Sequence, residues 1–176
     1  MIADFNACLL DFLDSSPTPF HAVESLKKRL AASGFEQVAD GDSWHLEPGG
    51  RYFIVRNDSA LVAFVCGTEP LVENGIRVAG AHTDSPCLKL KPVPESKKQG
   101  YVQLGVEVYG GILNNTWLDR DLGVAGRVVS ADGEQTLVDV CEPIARVPQL
   151  AVHLDRGVND EGLKLDRQQH LAPVWG

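Results

Sequence analysis

The sequence predicts an α/β fold in which helices and short strands come first and a β-rich unit follows. Three observations favour this fold. Residues 4–32 carry apolar side chains at helical spacing with one break. Between residues 43 and 81, short apolar runs are separated by turn residues, and the last run ends in a polar cluster. Between residues 93 and 155 there are further β-like runs and no convincing helix.

Composition limits the class of protein. The chain has 176 residues, 44% hydrophobic and 23% charged, which is ordinary for a soluble globular protein. Its net charge of −8 argues against nucleic acid as a bulk partner, because phosphate binding needs a basic face. No apolar run is long enough for a membrane span, and the N-terminus does not resemble a signal peptide. With its scattered cysteines, the protein is expected to be cytoplasmic and bound to no membrane.

Two helices are predicted at the start of the chain. Residues 4–14 mix apolar and acidic side chains, and the Ser- and Pro-rich residues 15–19 end this helix. Thr18 can cap the next helix, with a proline at its first position. Gly34 is its predicted stop. Four apolar side chains of the second helix share one face: Phe20, Val23, Leu26 and Leu30.

Short strands are predicted next, and with the two helices they are typical of the first part of an α/β domain. Ser43–Leu46, Arg51–Val55 and Ala60–Cys66 are β-like runs separated by turn residues. Residues 76–81 form a short apolar run that is typical of a buried strand. A buried parallel strand needs neighbours on both sides. Because the sequence offers no other strong candidate, and because its C-terminal end is apolar, we expect it to be incomplete.

Three polar residues stand together where the buried strand should stop. His82, Thr83 and Asp84 follow the apolar run, and Ser85-Pro86 ends it, since proline donates no ladder hydrogen bond. Ligands of open α/β sheets bind beyond the carboxyl ends of strands. One ring nitrogen of His82 can therefore bind a metal, while Asp84 accepts a hydrogen bond from the other. The His-x-Asp pattern alone is also compatible with a capped loop histidine.

A β-rich unit is predicted after Pro92. Residues 92–100 are interpreted as a polar link and a candidate domain boundary. Tyr101–Tyr109 alternates apolar and polar side chains. Val124–Val129 and Thr136–Val140 predict a hairpin, because an Asp-Gly pair lies between them. Ala151–Leu154 is one more short apolar run.

Other polar residues have two interpretations each. Asp119 and Asp121 flank Arg120, and they predict either a catalytic pair clamped by arginine or an ion-paired structural loop. The structural interpretation is preferred, because no histidine is near them in the sequence. His21 is interpreted as structural, in the first turn of a helix. His153, in an apolar run, is more often a satisfied core histidine.

Four segments resemble one known family. Residues 78–92, Val-Ala-Gly-Ala-His-Thr-Asp-Ser-Pro-Cys-Leu-Lys-Leu-Lys-Pro, resemble the metal-binding strand of the M18 metallopeptidases, the aspartyl aminopeptidase family. Residues 109–128, which include Trp-Leu-Asp-Arg-Asp-Leu, resemble a second M18 signature, and residues 144–156 resemble a third. Residues 16–23, Ser-Pro-Thr-Pro-Phe-His-Ala-Val, resemble the start of the family. An active-site role for the histidine in this last segment therefore stays open.

The resemblance implies a metal-dependent aminopeptidase that releases N-terminal residues, preferentially Asp or Glu, through a two-zinc site. Residues 1–92 would form the first segment of a zinc-peptidase catalytic domain, and residues 93–176 an inserted β-rich dimerisation domain, truncated at its end. His82 would be a metal ligand. Asp84 would orient a ligand or tune the site. His153 would reach the active site of the neighbouring subunit and support the substrate there.

The resemblance also implies partners and an incomplete site. Family members act on peptides and form homodimers or larger homo-oligomers, often dodecamers, and other divalent metals can replace zinc. Their remaining metal ligands and catalytic glutamate lie beyond the part that this chain resembles. We therefore expect the 176-residue chain to be inactive by itself. The alternative is a catalytically dead fragment whose β-rich unit still dimerises, as an interaction module.

Overall fold

The computed structural model describes residues 2–176, which form two compact units. The first unit contains the residues up to 85 and residues 126–137. The second contains residues 86–125 and 138–176. The chain therefore passes from one unit to the other three times. The predicted division at residue 92 into a catalytic segment and an inserted dimerisation domain stays a prediction.

Two helices open the first unit, as predicted. Helix α1 spans Ile2–Asp14, and helix α2 spans Pro19–Ala32. Thr18 caps α2, because its hydroxyl accepts a hydrogen bond from the backbone N–H of His21. Gly34 follows α2 with a φ of +78°, a left-handed conformation that glycine adopts without strain, so the predicted stop is confirmed.

A small sheet follows the helices. Strand β1 spans Glu36–Gln37, β2 spans Arg51–Arg56 and β3 spans Ala60–Val65. Strand β2 lies in the middle, parallel to β1 and antiparallel to β3. The predicted strands at 51–55 and 60–66 are confirmed. A single helical turn, α3, then spans Leu71–Asn74. Four residues from α2 and β2 are buried in this unit: Ala22, Val23, Tyr52 and Phe53.

Two predicted strands of the first unit are wrong. Residues 43–46 form a loop, in which the Trp44 indole N–H donates to the carbonyl of Ala39 at 2.7 Å. Residues 76–81 have no regular structure, and Val78 is 85% exposed. Among residues 2–176 no strand pairs with this segment. An extended chain without a partner leaves its backbone groups to water, so it is not a stable strand.

A five-stranded sheet dominates the second unit. Its strands lie in the order β4-β5-β8-β7-β6. The end of β6 from residue 126 onwards and the start of β7 up to residue 137 belong to the first unit. The predicted alternating strand is confirmed as β5. The predicted hairpin is confirmed as β6 and β7. The bounds of the five strands are Cys87–Lys98 for β4, Tyr101–Tyr109 for β5, Leu122–Val129 for β6, Gln135–Arg146 for β7 and Val174–Trp175 for β8.

The predicted polar link at 92–100 is wrong, because most of it belongs to β4. This strand pairs antiparallel with β5 along its length, and the register shifts between Leu90 and Glu95. Pro92 and Pro94 lie within the shift. A bulge accommodates proline in a strand, since the residue has no N–H for the ladder. Prolines that indicated a break in the sequence therefore mark an irregularity inside a strand.

Helices are short in the rest of the chain, as predicted. Asn114–Trp117 is a 3-10 turn, and α4 spans Val158–Glu161. One core cluster of the second unit is formed by the buried residues Leu118, Val147 and Leu171. Burial of each such side chain contributes about 1.5–3 kcal/mol to stability. No helix among residues 2–176 is both long and apolar enough to cross a membrane.

Candidate metal site

The polar cluster of the sequence places a histidine and an aspartate in direct contact. The Nδ1 atom of His82 lies 2.8 Å from Oδ1 of Asp84. A carboxylate only accepts hydrogen bonds, so Nδ1 of the neutral ring carries the proton and Nε2 keeps its lone pair. The His82 side chain is 89% exposed. Its Nε2 is therefore accessible to a metal ion, while the carboxylate fixes the tautomer of the ring.

Thr83 anchors this segment to the sheet of the first unit. Its hydroxyl donates a hydrogen bond of 2.7 Å to the carbonyl of Ser59, and the contact is half-buried. Ser59 belongs to the turn between β2 and β3. The residues before Thr83 have no ladder hydrogen bonds, so a side chain provides the attachment that a strand would have provided. Nothing in the sequence indicated Ser59 as the partner.

Immediately after the polar cluster, the chain enters the second unit at Pro86. Gly110 lies against this proline with a φ of +76°, and a Cβ at Gly110 would be 3.2 Å from Cβ of Pro86. Strand β4 begins at Cys87 and pairs with Tyr109 at that end of the sheet. The glycine therefore permits the close backbone approach that fixes the start of β4.

The described residues contain no complete metal site. Among residues 2–176, no three His, Cys, Asp or Glu side chains lie close enough together to hold one ion. A catalytic zinc has three protein ligands and an open position for water. His82 with Asp84 fits one ligand of such a set, with the supporting carboxylate that metal-bound histidines have. The other ligands are not in this cluster.

His153 is exposed, and the predicted strand around it is wrong. Residues 151–154 form a turn, in which the N–H of Leu154 donates to the carbonyl of Ala151 at 2.8 Å. Val152 and Leu154 are 45% and 74% exposed. The interpretation as a satisfied core histidine is therefore wrong as well. His153 belongs to the second unit, whereas His82 belongs to the first.

His21 has the structural partner that its helix position suggested. Its Nδ1 lies 2.7 Å from the hydroxyl of Thr18, and its own backbone N–H is bound by the same hydroxyl. The side chain is half-buried at the start of α2. The Thr18 hydroxyl thus holds both the helix end and the imidazole ring.

Asp119 and Asp121 each have a structural partner. The backbone N–H of Gln149 donates to Oδ1 of Asp119 at 3.1 Å. Asp121 forms an ion pair with Arg146, and this hydrogen bond raises the pKa of the Arg146 guanidinium. The arginine of the ion pair is thus Arg146 and not Arg120, the residue that the sequence placed between the two carboxylates. These contacts agree with the structural interpretation, in which Asp119 and Asp121 belong to an ion-paired loop.

A second cluster in the first unit surrounds Arg127, which the sequence did not indicate. Its guanidinium carbon lies 4.1 Å from the centre of the Phe20 ring. It donates to the carbonyl of Asn57 at 3.1 Å and to Oε1 of Gln135 at 3.0 Å. The cluster borders a cavity of about 330 Å³. Gln135 belongs to the same hairpin as Arg127, but Phe20 and Asn57 come from distant parts of the sequence, so no local pattern could have predicted the cluster.

Comparison with known protein families identifies relatives over nearly the whole chain. Residues 12–176 match the family model described as aminopeptidase I zinc metalloprotease (M18). The chain is 52% identical over 174 residues to a probable M18 family aminopeptidase 2 of Stutzerimonas stutzeri. The aligned region covers 97% of this chain and 40% of the relative. The chain is also 53% identical over 173 residues to a probable aspartyl aminopeptidase of Ricinus communis. That alignment covers 94% of this chain and 35% of the relative.

Solved structures show the same fold. The mApe1 protein of Chaetomium thermophilum has a TM-score of 0.86 at 41% identity, over 98% of this chain and 40% of its own. The mApe1 dodecamer of S. cerevisiae has a TM-score of 0.73 at 28% identity, over 97% and 47%. This chain therefore spans less than half the length of the proteins that it resembles.

The geometry at His82 predicts which nitrogen carries its proton. At about pH 8, imidazole side chains are ordinarily neutral. The Nδ1–H form of His82 should dominate there, because Asp84 accepts a hydrogen bond from Nδ1–H. Asp84→Ala should shift the ring towards the Nε2–H form. Long-range ¹H–¹⁵N spectra of the ring nitrogens measure the ratio. His45, which is exposed, serves as the internal control in the same spectra. An unchanged ratio at His82 in the variant would contradict the assignment.

Proposed function

This chain belongs to the M18 family of zinc metalloproteases, and on that premise we propose that it supplies the first part of a zinc-dependent aminopeptidase. The observation that carries the proposal is the His82 ring, which is held through Nδ1 by Asp84 and leaves an exposed Nε2. This pair lies within the 165 residues, 12 to 176, that match the family model. A fixed, accessible imidazole is the ligand that a catalytic zinc requires.

The proposal gives each residue of the pair a role. His82 would hold a zinc ion through Nε2. Asp84 would keep the ring in the Nδ1–H form and increase the electron density on Nε2, which strengthens the bond to a metal. Bound zinc makes water acidic enough to be a nucleophile at neutral pH and polarises the carbonyl that is attacked. We propose a two-zinc site, of which His82 supplies one ligand, and manganese or cobalt could replace zinc.

The other parts of the site would come from beyond this chain. The chain covers 35–41% of the relatives' lengths, and its described residues hold no three-ligand group. The remaining ligands and a general base would belong to the uncovered part. Residues 1–92 would then be the first segment of the catalytic domain, and residues 93–176 an inserted dimerisation domain. The exposed residues 76–81 would gain neighbouring strands in the longer protein.

We propose that the substrates are peptides with an acidic N-terminal residue. The support is the name of the R. communis relative, a probable aspartyl aminopeptidase, at 53% identity. The chain itself has a net charge of −8, so it offers no general attraction for acidic peptides. Selection of aspartate or glutamate would therefore depend on a local cationic group in the complete site. Such peptides are present in the cytoplasm, where we expect the protein to act.

We further propose that the protein works as a homo-oligomer in which His153 serves the neighbouring subunit. A related structure, mApe1 of S. cerevisiae, is a dodecamer. His153 lies in an exposed turn between the apolar side chains of Val152 and Leu154, which is the composition of a surface that a second subunit covers. In that position His153 would support the substrate bound at the neighbour's His82.

A second candidate function applies to the 176-residue chain alone. Because its described residues hold no three-ligand group, the isolated chain would be a dimerisation module without activity. We expect the isolated chain to release no aspartate from Asp-peptides and to retain no zinc after dialysis. The complete protein from the same source should retain about two zinc ions per chain and release aspartate. Metal analysis and a peptide assay measure these two properties, and intact mass identifies which chain is assayed. Aspartate release by the isolated chain would overturn the proposal of an incomplete site.

Loss of the His82 imidazole should remove metal and activity together. In the complete protein, His82→Ala deletes a ligand, so we expect zinc content to fall and peptide hydrolysis to drop at least about 100-fold. The matched control is His45→Ala, which removes another exposed histidine of the same unit. Zinc content is measured by metal analysis after gel filtration. A His82→Ala protein with full zinc and full activity would contradict the ligand role.

Mixing two inactive variants tests the role of His153 between subunits. We expect His153→Ala to lower turnover about 100-fold, because the substrate loses a positioning contact. Co-expression of His82→Ala and His153→Ala chains should restore about a quarter of wild-type activity, since half of the dimers are mixed and each holds one intact site. Separately expressed variants, assayed without exchange, are the control. If the mixed protein has no more activity than the single variants, His153 acts within its own chain.

A further inference from the structure

We propose that Thr83 and Arg127 are positioning residues for His82, and that they act through the turn between β2 and β3. This inference rests on the proposed metal role of His82. It identifies a path of contacts within the first unit that leads from the β6-β7 hairpin to the imidazole. Each step of the path is a hydrogen bond or a ring contact between described residues.

The first step fixes the segment that carries His82. Thr83 stands between His82 and Asp84, and its hydroxyl donates to the Ser59 carbonyl at 2.7 Å. The preceding residues, 76–81, have no ladder hydrogen bonds and are exposed. The Thr83 bond therefore attaches the segment that carries His82 to the turn of the sheet in its own unit. A shift of the Ser59 carbonyl would move Thr83, and with it the imidazole.

The second step concerns the turn that presents the Ser59 carbonyl. Asn57 and Asp58 at its centre have φ values of 52° and 53°. Left-handed conformations cost about 1–2 kcal/mol per residue outside glycine, although Asn and Asp tolerate them best. The backbone N–H of Ser59 closes the turn on the carbonyl of Arg56 at 3.1 Å. Its two left-handed residues and this bond define the turn, and outside contacts add to what holds it in one shape.

The third step provides those contacts. Arg127, near the C-terminal end of β6, donates to the Asn57 carbonyl at 3.1 Å and lies 3.4 Å from the Asp58 carboxylate. The guanidinium is itself held over the Phe20 ring, with its carbon 4.1 Å from the ring centre, and by Gln135 of β7. Only 24% of the Arg127 side chain is exposed. A charged group fixed on four sides can hold a turn in place, which a freely moving surface arginine cannot.

Zinc affinity in the complete protein tests the Thr83 step. Loss of a group that orients a metal ligand typically costs 10–100-fold in affinity. We expect Thr83→Val, which keeps the shape and removes the donor, to weaken zinc binding by about 10-fold. Thr83→Ser keeps the donor and should bind zinc as the wild type does. Thr116→Val is the matched control, since the Thr116 hydroxyl donates to the Leu113 carbonyl at the same 2.7 Å in the second unit. Competition with a chromogenic chelator measures each affinity.

The Arg127 step has a control of the same chemical kind. Arg29 pairs with Asp11 at 2.8 Å and lies 5.3 Å from the Phe12 ring centre, and it does not contact the turn. We expect Arg127→Ala to weaken zinc binding several-fold, by less than Thr83→Val because its effect passes through the turn. Arg29→Ala should leave zinc affinity unchanged. Melting temperatures of both variants separate a change at the metal from a loss of stability.

The outcomes distinguish this inference from the function on which it rests. A wild-type complete protein that holds no zinc would overturn both. A zinc-binding wild type whose affinity is unchanged in Thr83→Val and Arg127→Ala would overturn the positioning role alone. Equal losses of affinity in Arg127→Ala and Arg29→Ala, or in Thr83→Val and Thr83→Ser, would also overturn it, because they would indicate a general structural effect. Loss in Thr83→Val and Arg127→Ala, with rescue by Thr83→Ser, supports it.

Discussion

A strand is stable only when its backbone N–H and C=O groups are paired, and this requirement governs the structure around the candidate metal site. The chain satisfies it in the small sheet of β1 to β3 and in the larger sheet of β4 to β8. It is not satisfied at residues 76–81, where no described strand is adjacent. The apolar side chains of that segment are consequently exposed. The position of His82 then depends on side-chain bonds, whereas a sheet would have fixed it through the backbone.

Side-chain bonds of this kind perform two separate tasks at the site. The contact between His82 and Asp84 determines which ring nitrogen is available, and it is complete within three consecutive residues. The bond from Thr83 to Ser59 attaches the segment that carries the ring to the turn after β2, and it depends on the fold of the unit. The tautomer of the candidate ligand is therefore encoded locally, whereas its location is a tertiary property.

The same distinction explains how much could be predicted from the sequence. The cap at Thr18, the stop at Gly34 and the Asp-Gly hairpin turn depend on residues a few positions apart, so their patterns were correct. Residues 76–81 have the pattern of a buried strand, but a pattern does not supply neighbours, and the segment is irregular. Strand β8 has only two residues, too few to produce any alternation. At the site, the His82 and Asp84 contact followed from spacing, whereas the contacts of Arg127 join segments that are distant in the sequence.

The return of residues 126–137 to the first unit has a consequence for synthesis on the ribosome. Helix α2 and the turn after β2 are made early, but Arg127, which contacts both, and Gln135, which binds Arg127, follow only after β4 and β5 have been synthesised. The first unit therefore cannot reach its final packing as a nascent chain of 85 residues. Its last contacts have a large sequence separation, a property that slows folding. During that interval the segment that carries His82 is held by an unsupported turn, and the early chain is a candidate for chaperone binding.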